Sequence, residues 1–507
     1  MTPSTPTPAP APVSDFSRTP TAQADAPDAG VRLKSDTGPL SRILETSPFP
    51  ILLVCLVGIV LLSVFAPSIV VGDTWLTLMA GREVIENGLP HTEHLTILGE
   101  GRTWTDQQWL AQVVFYAAHE LAGMRAVILL GIALVLIALG LVTATARTSG
   151  ASARSTFLIG FLAILAGPWG WTLRAQTTAL PLYAGTLWLL IDGSRRGVRR
   201  RTLLVLPLLV VWANLHGSVV LGAALTMLLG VVAMVRTRTL AWLPAALVAL
   251  APLCVLASPY GTKLVAYYDL MLVDAPFADM LREWQWSNPS ATTALFWLLA
   301  ILMVALLAMR RCRGRLTFYE LAVLAVTLVG AVQAVRGVIW FALAAAAILP
   351  VALDGLFTKA DVAAPRVNRI ISLTALASLA VALVAFIARP SSWFVSGWPE
   401  REIAAVRAAT RDQGTRLWAT DGTADWLLWR IPDLRGRVAY DVRFELYDEH
   451  ALDELITYGR RETGWRTVVD GYRVVVVDDA AHLKALTAEP GARIAYRGDD
   501  LVVVRRG

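Results

Sequence analysis

The sequence predicts an α-helical polytopic membrane protein of about eleven transmembrane helices with a small C-terminal extracytoplasmic α/β domain, and three observations lead there. First, 56% of the 507 residues are hydrophobic and 17% are charged, with a mean hydropathy of +0.56. Soluble domains carry about a quarter charged residues and bury far fewer uninterrupted apolar stretches. Second, the basic residues gather between the apolar stretches. Third, after residue 388 the pattern changes from long apolar runs to short β-rich and amphipathic segments. An ordinary soluble enzyme, a fibrous chain and a disordered chain are all excluded.

Taken in order, residues 1–48 are rich in Pro, Ala, Thr, Ser and Asp and predict a disordered cytoplasmic tail. The apolar run from Phe49 to Val71 starts too late and runs too long for a cleaved signal, and Pro67 follows Ala66 where cleavage would fall. It predicts a retained first span. Further spans are expected at 125–146, 156–173, 177–191, 202–214, 218–235, 239–257, 291–309, 318–334, 337–353 and 369–388. Several are short, notably the pair meeting at Ala213 to Ser218, which predicts broken or re-entrant helices.

The formal net charge is +6. Its basic residues cluster at Arg195, Arg196, Arg199, Arg200 and Arg201, at Arg310, Arg311, Arg313 and Arg315, and more weakly at Arg147, Arg154, Arg236 and Arg238. By the positive-inside rule these loops and the amino terminus are cytoplasmic. The transmembrane domain of 49–388, its loops 72–124 and 258–290, and the α/β domain of 389–507 then take a single orientation, with those loops and that domain outside the plasma (inner) membrane. The same confinement explains the basic excess without nucleic acid as a partner. Cys55, Cys254 and Cys312 fall in apolar runs or a basic loop, so neither a disulfide nor a cysteine zinc site is expected. Within 389–507, strands are predicted at Arg416–Thr420, Arg437–Tyr440, Tyr472–Asp478, Arg493–Arg497 and Leu501–Arg505, and helices at Pro399–Asp412, Ala424–Arg430 and Glu449–Arg460.

A polar group at membrane depth is costly and is by default a functional candidate, whereas loops carry such groups freely. Asp73 follows directly on the first span in Val71-Gly72-Asp73-Thr74-Trp75, where a partly desolvated carboxylate suits a general base. Trp75, Leu76, Leu78, Met79, Val84 and Ile85, with Arg82, Glu83 and Glu86 between them, predict an amphipathic helix lying in the interface and ended by Gly88-Leu89-Pro90. His91, Glu93 and His94 follow. Their spacing makes them candidate ligands for a divalent metal, against the alternative of solvated loop side chains. The polar, Trp-rich stretch Trp104 to Trp109 offers Asp106 and Trp109 as candidate substrate contacts.

Four further interruptions of apolar sequence fall on the same side: Arg174, the turn Asn214-Leu215-His216-Gly217, Glu283 beside Arg282 and Trp284, and Arg336. Arg174 and Arg336 suit a phosphate or pyrophosphate through planar bidentate geometry, and the alternative is snorkelling to lipid headgroups or pairing with a nearby acid. Asn214 and His216 stand in a tight polar turn, as substrate contacts or as a structural cap. An interfacial belt accounts for most tryptophans on this side, and stacking on a sugar face for one or two. No P-loop, G-x-S-x-G, H-E-x-x-H or Rossmann fingerprint is present, which removes support from ATP-driven transport and from triad or zincin hydrolysis.

With its Asp at the mouth of the first outer loop, interfacial helix, many spans and outer C-terminal domain, the chain resembles the GT-C glycosyltransferases, such as the protein mannosyltransferases and the lipid A aminoarabinose transferases. Gly72-Asp73-Thr74-Trp75, Gly81-Arg82, Gly88-Leu89-Pro90, Trp104 to Leu110, Trp212 to Gly217, Ser258-Pro259-Tyr260-Gly261, Glu283-Trp284, Asp421 to Trp429, Tyr440 to Arg443 and Leu446-Tyr447 are also similar to a bacterial polytopic membrane family. The GT-C resemblance implies a first-loop catalytic carboxylate, a role that falls on Asp73, a polyprenyl-phosphate-linked sugar as donor, and a lipid or glycan acceptor at the outer face. Where the family has Asp after the Pro-x-x of this loop, the chain has Glu93. The reading that follows is a polyprenyl-phosphate-sugar-dependent transferase. Its rivals are a transporter or flippase of a lipid-linked sugar and a non-catalytic envelope scaffold.

Overall fold

The computed structural model describes residues 47–273, 275–357 and 364–507. The expected cytoplasmic tail therefore lies almost wholly outside the described residues. A helix occupies each apolar stretch expected to span: α1 (Phe49–Val60, prolonged by a π turn to Phe65), α3 (Trp109–Thr148), α4 (Ala153–Ala166), α5 (Gln176–Arg196), α6 (Val205–Ala213), α7 (Val219–Thr237), α8 (Trp242–Val255), α10 (Ala294–Ala308), α11 (Phe318–Gln333), α12 (Val338–Leu353) and α13 (Pro365–Ile387). Between them lie α2 (Gly72–Asn87) and α9 (Lys263–Leu272). Among the described residues, 4 helices are long and apolar enough to cross a membrane: Trp109–Thr148, Val219–Thr237, Val335–Leu353 and Pro365–Ile387. The chain is a membrane protein. Its central helix is α12, whose residues are buried throughout and which packs against α3, α4, α10 and α11. The run Ala344 to Ala347 removes side-chain bulk there and lets the neighbouring backbones approach.

One expectation for the segment after α1 needs correction. The helix from 72 to 87 does not lie with an open apolar face in an interface. It is clamped between α3 and α15 of the C-terminal segment, and Thr74, Trp75, Leu76, Thr77, Leu78, Met79, Ala80 and Gly81 are all buried. The clamp needs a bare backbone at its start, because a Cβ on Gly72 would stand 2.9 Å from the Cα of Gly422. Within the expected outer stretch 72–124 a further helix forms. Helix begins at Trp109, and α3 bends at Ala122 and Gly123, where Gly123 takes a φ of 62° that suits a residue without Cβ.

After α13 come α14 (Ile403–Ala409), β1 (Leu417–Trp418), α15 (Asp421–Arg430), α16 (Glu449–Arg460), β2 (Val474–Val477), α17 (Ala480–Thr487), β3 (Arg493–Arg497) and β4 (Val502–Arg505). The sheet has the order β1-β2-β4-β3. Its first pair is parallel and the other two antiparallel. The strand expected at 437–440 is reduced to bridges, in which Val438 pairs with Leu417 on one side and with Thr96 of the first loop on the other. Toward β1 the Leu417 amide donates to the Arg437 carbonyl at 2.8 Å and the Ala439 amide to Leu417 at 2.9 Å; toward the loop after α2 the Ile97 amide donates to the Val438 carbonyl at 2.8 Å, Leu98 to Ala439 at 3.0 Å, and Gly436 to Leu95 at 2.9 Å.

The same seam holds a buried ion triad. Arg443 donates to Glu93 from Nη2 at 2.9 Å and to Asp441 from Nε at 2.9 Å, and its guanidinium stacks 4.2 Å from the Trp104 ring centroid. Both carboxylates are fully buried, at 0% side-chain exposure. Buried charges of this kind are tolerable only while all partners are present. Arg443→Met is therefore expected to destabilise the protein by about 3–5 kcal/mol, read as a lowered midpoint in thermal unfolding of the detergent-purified chain. An unchanged midpoint would show that other contacts hold the seam.

Candidate active site

The site is assembled by short backbone pairings that bring distant carboxylates and guanidiniums together. Val70 bridges to Leu173, the Leu173 amide donates to Ile69 at 2.8 Å, and the Thr74 hydroxyl donates to the Leu173 carbonyl at 2.5 Å. This places Asp73, in the first turn of α2, beside Arg174, whose Nη1 donates to Asp73 Oδ2 at 3.3 Å and to Glu283 Oε2 at 2.6 Å. On the far side the Val335 amide donates to Gln285 at 3.1 Å and the Ser287 amide to Val332 at 2.9 Å. That stitch sets Arg336 beside the Glu283 loop, with its guanidinium 4.0 Å from the Trp284 ring centroid. Among the described residues no ion pair reaches Arg336.

Asp73, Arg174, His216, Glu283 and Arg336 line one cavity of about 840 Å³. Leu76, Val220, Leu221, Met271 and Leu272 form part of its apolar wall, and the C-terminal segment closes it with Asp421, Val442, Arg443, Phe444 and Glu445. Burial raises the Asp73 carboxyl above its ordinary value; Arg174 opposes this and Glu283 reinforces it. Glu283 goes the other way, because Arg174 and Arg336 together outweigh its burial and hold it low. Burial, with the positive charges of Arg336 and Arg174, holds His216 well below the usual imidazole range. The Ser218 amide donates to His216 Nδ1 at 3.1 Å, so the neutral ring carries its proton on Nε2. His216 thus caps its turn and presents a neutral imidazole to the cavity.

The other expected site residues lie elsewhere. Asp106, Trp109 and Asn214 do not line the cavity and serve as pins for the first loop. Trp109 Nε1 donates to Asn214 Oδ1 at 3.0 Å, Asn214 Nδ2 donates to the Ala257 carbonyl at 2.8 Å, and Gln112 donates to the buried Asp106 carboxylate at 2.8 Å. The proposed metal ligands also separate. Glu93 is consumed by Arg443, His94 Nε2 pairs with Glu83 at 3.0 Å, and His91 sets its ring edge-on to Tyr260 at 5.6 Å. Among the described residues no group of three or more His, Cys, Asp or Glu is placed to hold a metal ion. At the cavity itself a guanidinium stands between the two carboxylates, so this donor set does not fit a divalent cation. Tyr267, Tyr268 and Glu445 line the cavity without having been singled out, since neither the tyrosine pair nor Phe444-Glu445 breaks an apolar run.

Comparison with protein-family models and with curated proteins gives no match for this sequence. Solved structures match in fold. The oligosaccharyltransferase of Archaeoglobus fulgidus in the apo form aligns with a TM-score of 0.51 at 12% identity, over 85% of this chain and 69% of that one. AglB, an archaeal oligosaccharyltransferase from Archaeoglobus fulgidus in complex with an inhibitory peptide and a dolichol-phosphate, aligns with a TM-score of 0.50 at 11% identity over 85% and 69%. These two likenesses give the chain a GT-C-like fold. ArnT from Cupriavidus metallidurans, bound to undecaprenyl phosphate, aligns with a TM-score of 0.48 at 16% identity over 89% and 97%.

Arg174→Gln would leave Asp73 and Glu283 facing each other without their shared cation, and their pKa values would rise. A carboxyl with a raised folded-state pKa loses stability as pH climbs through it. The melting-temperature deficit of Arg174→Gln against wild type is therefore expected to be small at pH 5 and larger at pH 8. A deficit independent of pH would contradict the shared-cation arrangement.

Proposed function

We propose that the chain is a membrane glycosyltransferase that moves a sugar from a polyprenyl-phosphate donor to a hydroxyl of a lipid or glycan acceptor at the outer face of the inner membrane. The observation that carries this reading is Asp73 bonded to Arg174 in a cavity that joins a second guanidinium, Arg336, to an apolar wall. A lipid phosphate needs that combination of cations for its head and apolar surface for its tail. The solved complex of AglB with a dolichol-phosphate supports a lipid phosphate as the ligand of this fold. The transporter reading has less support, because the polar candidates meet at one site near Asp73.

Asp73 takes the proton of the acceptor hydroxyl as its oxygen forms a bond to the anomeric carbon. The bond from that carbon to the phosphate oxygen breaks, the configuration inverts, and the departing phosphate carries its charge away against Arg336 and Arg174. Leu76, Val220, Leu221, Met271 and Leu272 offer the isoprenoid chain its apolar surface. No step runs through a metal, since Arg174 supplies the cation between Asp73 and Glu283.

The raised Asp73 pKa places the acid limb of kcat/KM above the ordinary carboxylate value of about 3.9. Glu283→Gln removes a competitor for Arg174 and should move that limb to lower pH; a limb that stays in place or moves up would exclude Asp73 as the titrating base. The function itself is tested by mass spectrometry of envelope lipids and glycans from a deletion strain carrying wild type or Asp73→Asn. Loss of a general base removes about 10²–10⁴-fold of rate, so one glycan should return with wild type and stay missing with Asp73→Asn at equal expression. Restoration by Asp73→Asn would overturn the assignment.

A further inference from the structure

Glu445 stands apart from the charged groups already described. Its neighbours Asp441 and Arg443 are consumed by the triad with Glu93, yet Glu445 lines the cavity. Among the described residues no ion pair reaches it, while burial and nearby acids hold its carboxyl at about 7, so it can accept or donate a hydrogen bond near neutral pH. Two aromatic side chains from α9 share that wall, Tyr267 and Tyr268, and the Tyr268 hydroxyl is buried with no hydrogen-bond partner. Tyr267 lies within electrostatic reach of both Glu445 and Arg336. A carboxyl and aromatic ring faces are what a polyhydroxylated ring requires: a hydrogen-bond partner for its hydroxyls and flat apolar surface for its C–H face.

Resting on the glycosyltransferase reading, we infer that Glu445, with Tyr267 and Tyr268, forms the subsite that selects the sugar of the donor, beside the phosphate-binding Arg336. A sugar joined directly to a phosphate at Arg336 extends toward Tyr267 and Glu445. The C-terminal segment would then set which sugar is used, while Asp73 and the arginines set the reaction.

The test is native mass spectrometry of the full-length protein in detergent. Its ligands are undecaprenyl phosphate alone and a panel of undecaprenyl phosphates each carrying one pentose or hexose. Wild type is expected to bind one sugar-bearing lipid more tightly than bare undecaprenyl phosphate. Glu445→Ala is expected to remove about tenfold of that preference, the size of one hydrogen bond to a charged group, and to leave bare-lipid affinity unchanged. Glu445→Gln keeps the shape and one acceptor and should retain part of it. A preference undiminished in Glu445→Ala, or a wild type that binds bare lipid but ranks no sugar above it, overturns the inference and leaves the glycosyltransferase reading intact. Binding of no lipid by wild type overturns both. Thermal unfolding of Glu445→Ala at the wild-type temperature separates lost recognition from lost folding.

Discussion

Two carboxylates without access to water, Glu93 in the loop after α2 and Asp441 in the C-terminal segment, share the guanidinium of Arg443 over the face of Trp104. A low-dielectric site makes each charge intolerable alone and the set of three tolerable together, so the triad ties the two segments to one register: any docking that left one member unpaired would be strongly disfavoured. The backbone seam from Leu95 to Ala439 then closes beside it, and α15 comes down on α2. Asp73 stands at the start of that covered helix.

In the cavity the charges are arranged in compensating pairs. Arg174 is divided between Asp73 and Glu283, with the shorter bond to Glu283; burial raises Asp73 against the pull of Arg174, whereas Arg174 and Arg336 together overcome burial at Glu283 and hold it ionised. A carboxylate that keeps a strong cation to itself is a poor base, whereas one that shares a cation with a competitor retains basicity. Arg336 rests on an aromatic face and has no carboxylate within ion-pair distance among the described residues. It is thus the cation available to an incoming anion. The neutral His216 adds a hydrogen-bonding edge without adding charge.

Legibility in the sequence followed the range of the physics. Apolar runs are local, and each expected span holds a helix. Asp73, Arg174, His216, Glu283 and Arg336 could be singled out because each interrupts apolar sequence, and they do meet in one cavity. Glu93 was a candidate metal ligand against the alternative of a solvated loop side chain; it pairs with Arg443, 350 residues away, and no local pattern reveals such a pairing. Asp106, Trp109 and Asn214 stood out as polar and aromatic groups near the membrane surface, but their work is to pin one loop to another. The helix at 72–87 carries apolar residues at helical spacing, yet a period cannot tell a lipid surface from another segment of the same chain, and α3 and α15 bury it. The strand at 437–440 carried the right residues, but its pairing is limited to single bridges at Val438, one to β1 and one to the first loop.

The proposed reaction breaks the bond between a sugar and a lipid phosphate in this cavity, with Asp73 as the base. Its most direct test is to incubate the purified full-length protein in proteoliposomes with a lipid extract of its own envelope and to follow free polyprenyl phosphate by mass spectrometry. Wild type should release polyprenyl phosphate as the sugar appears on a second envelope component, in the presence of EDTA as well as in its absence. A chain that leaves every lipid-linked sugar intact, or that moves such a lipid across the bilayer without cleaving it, would contradict the account.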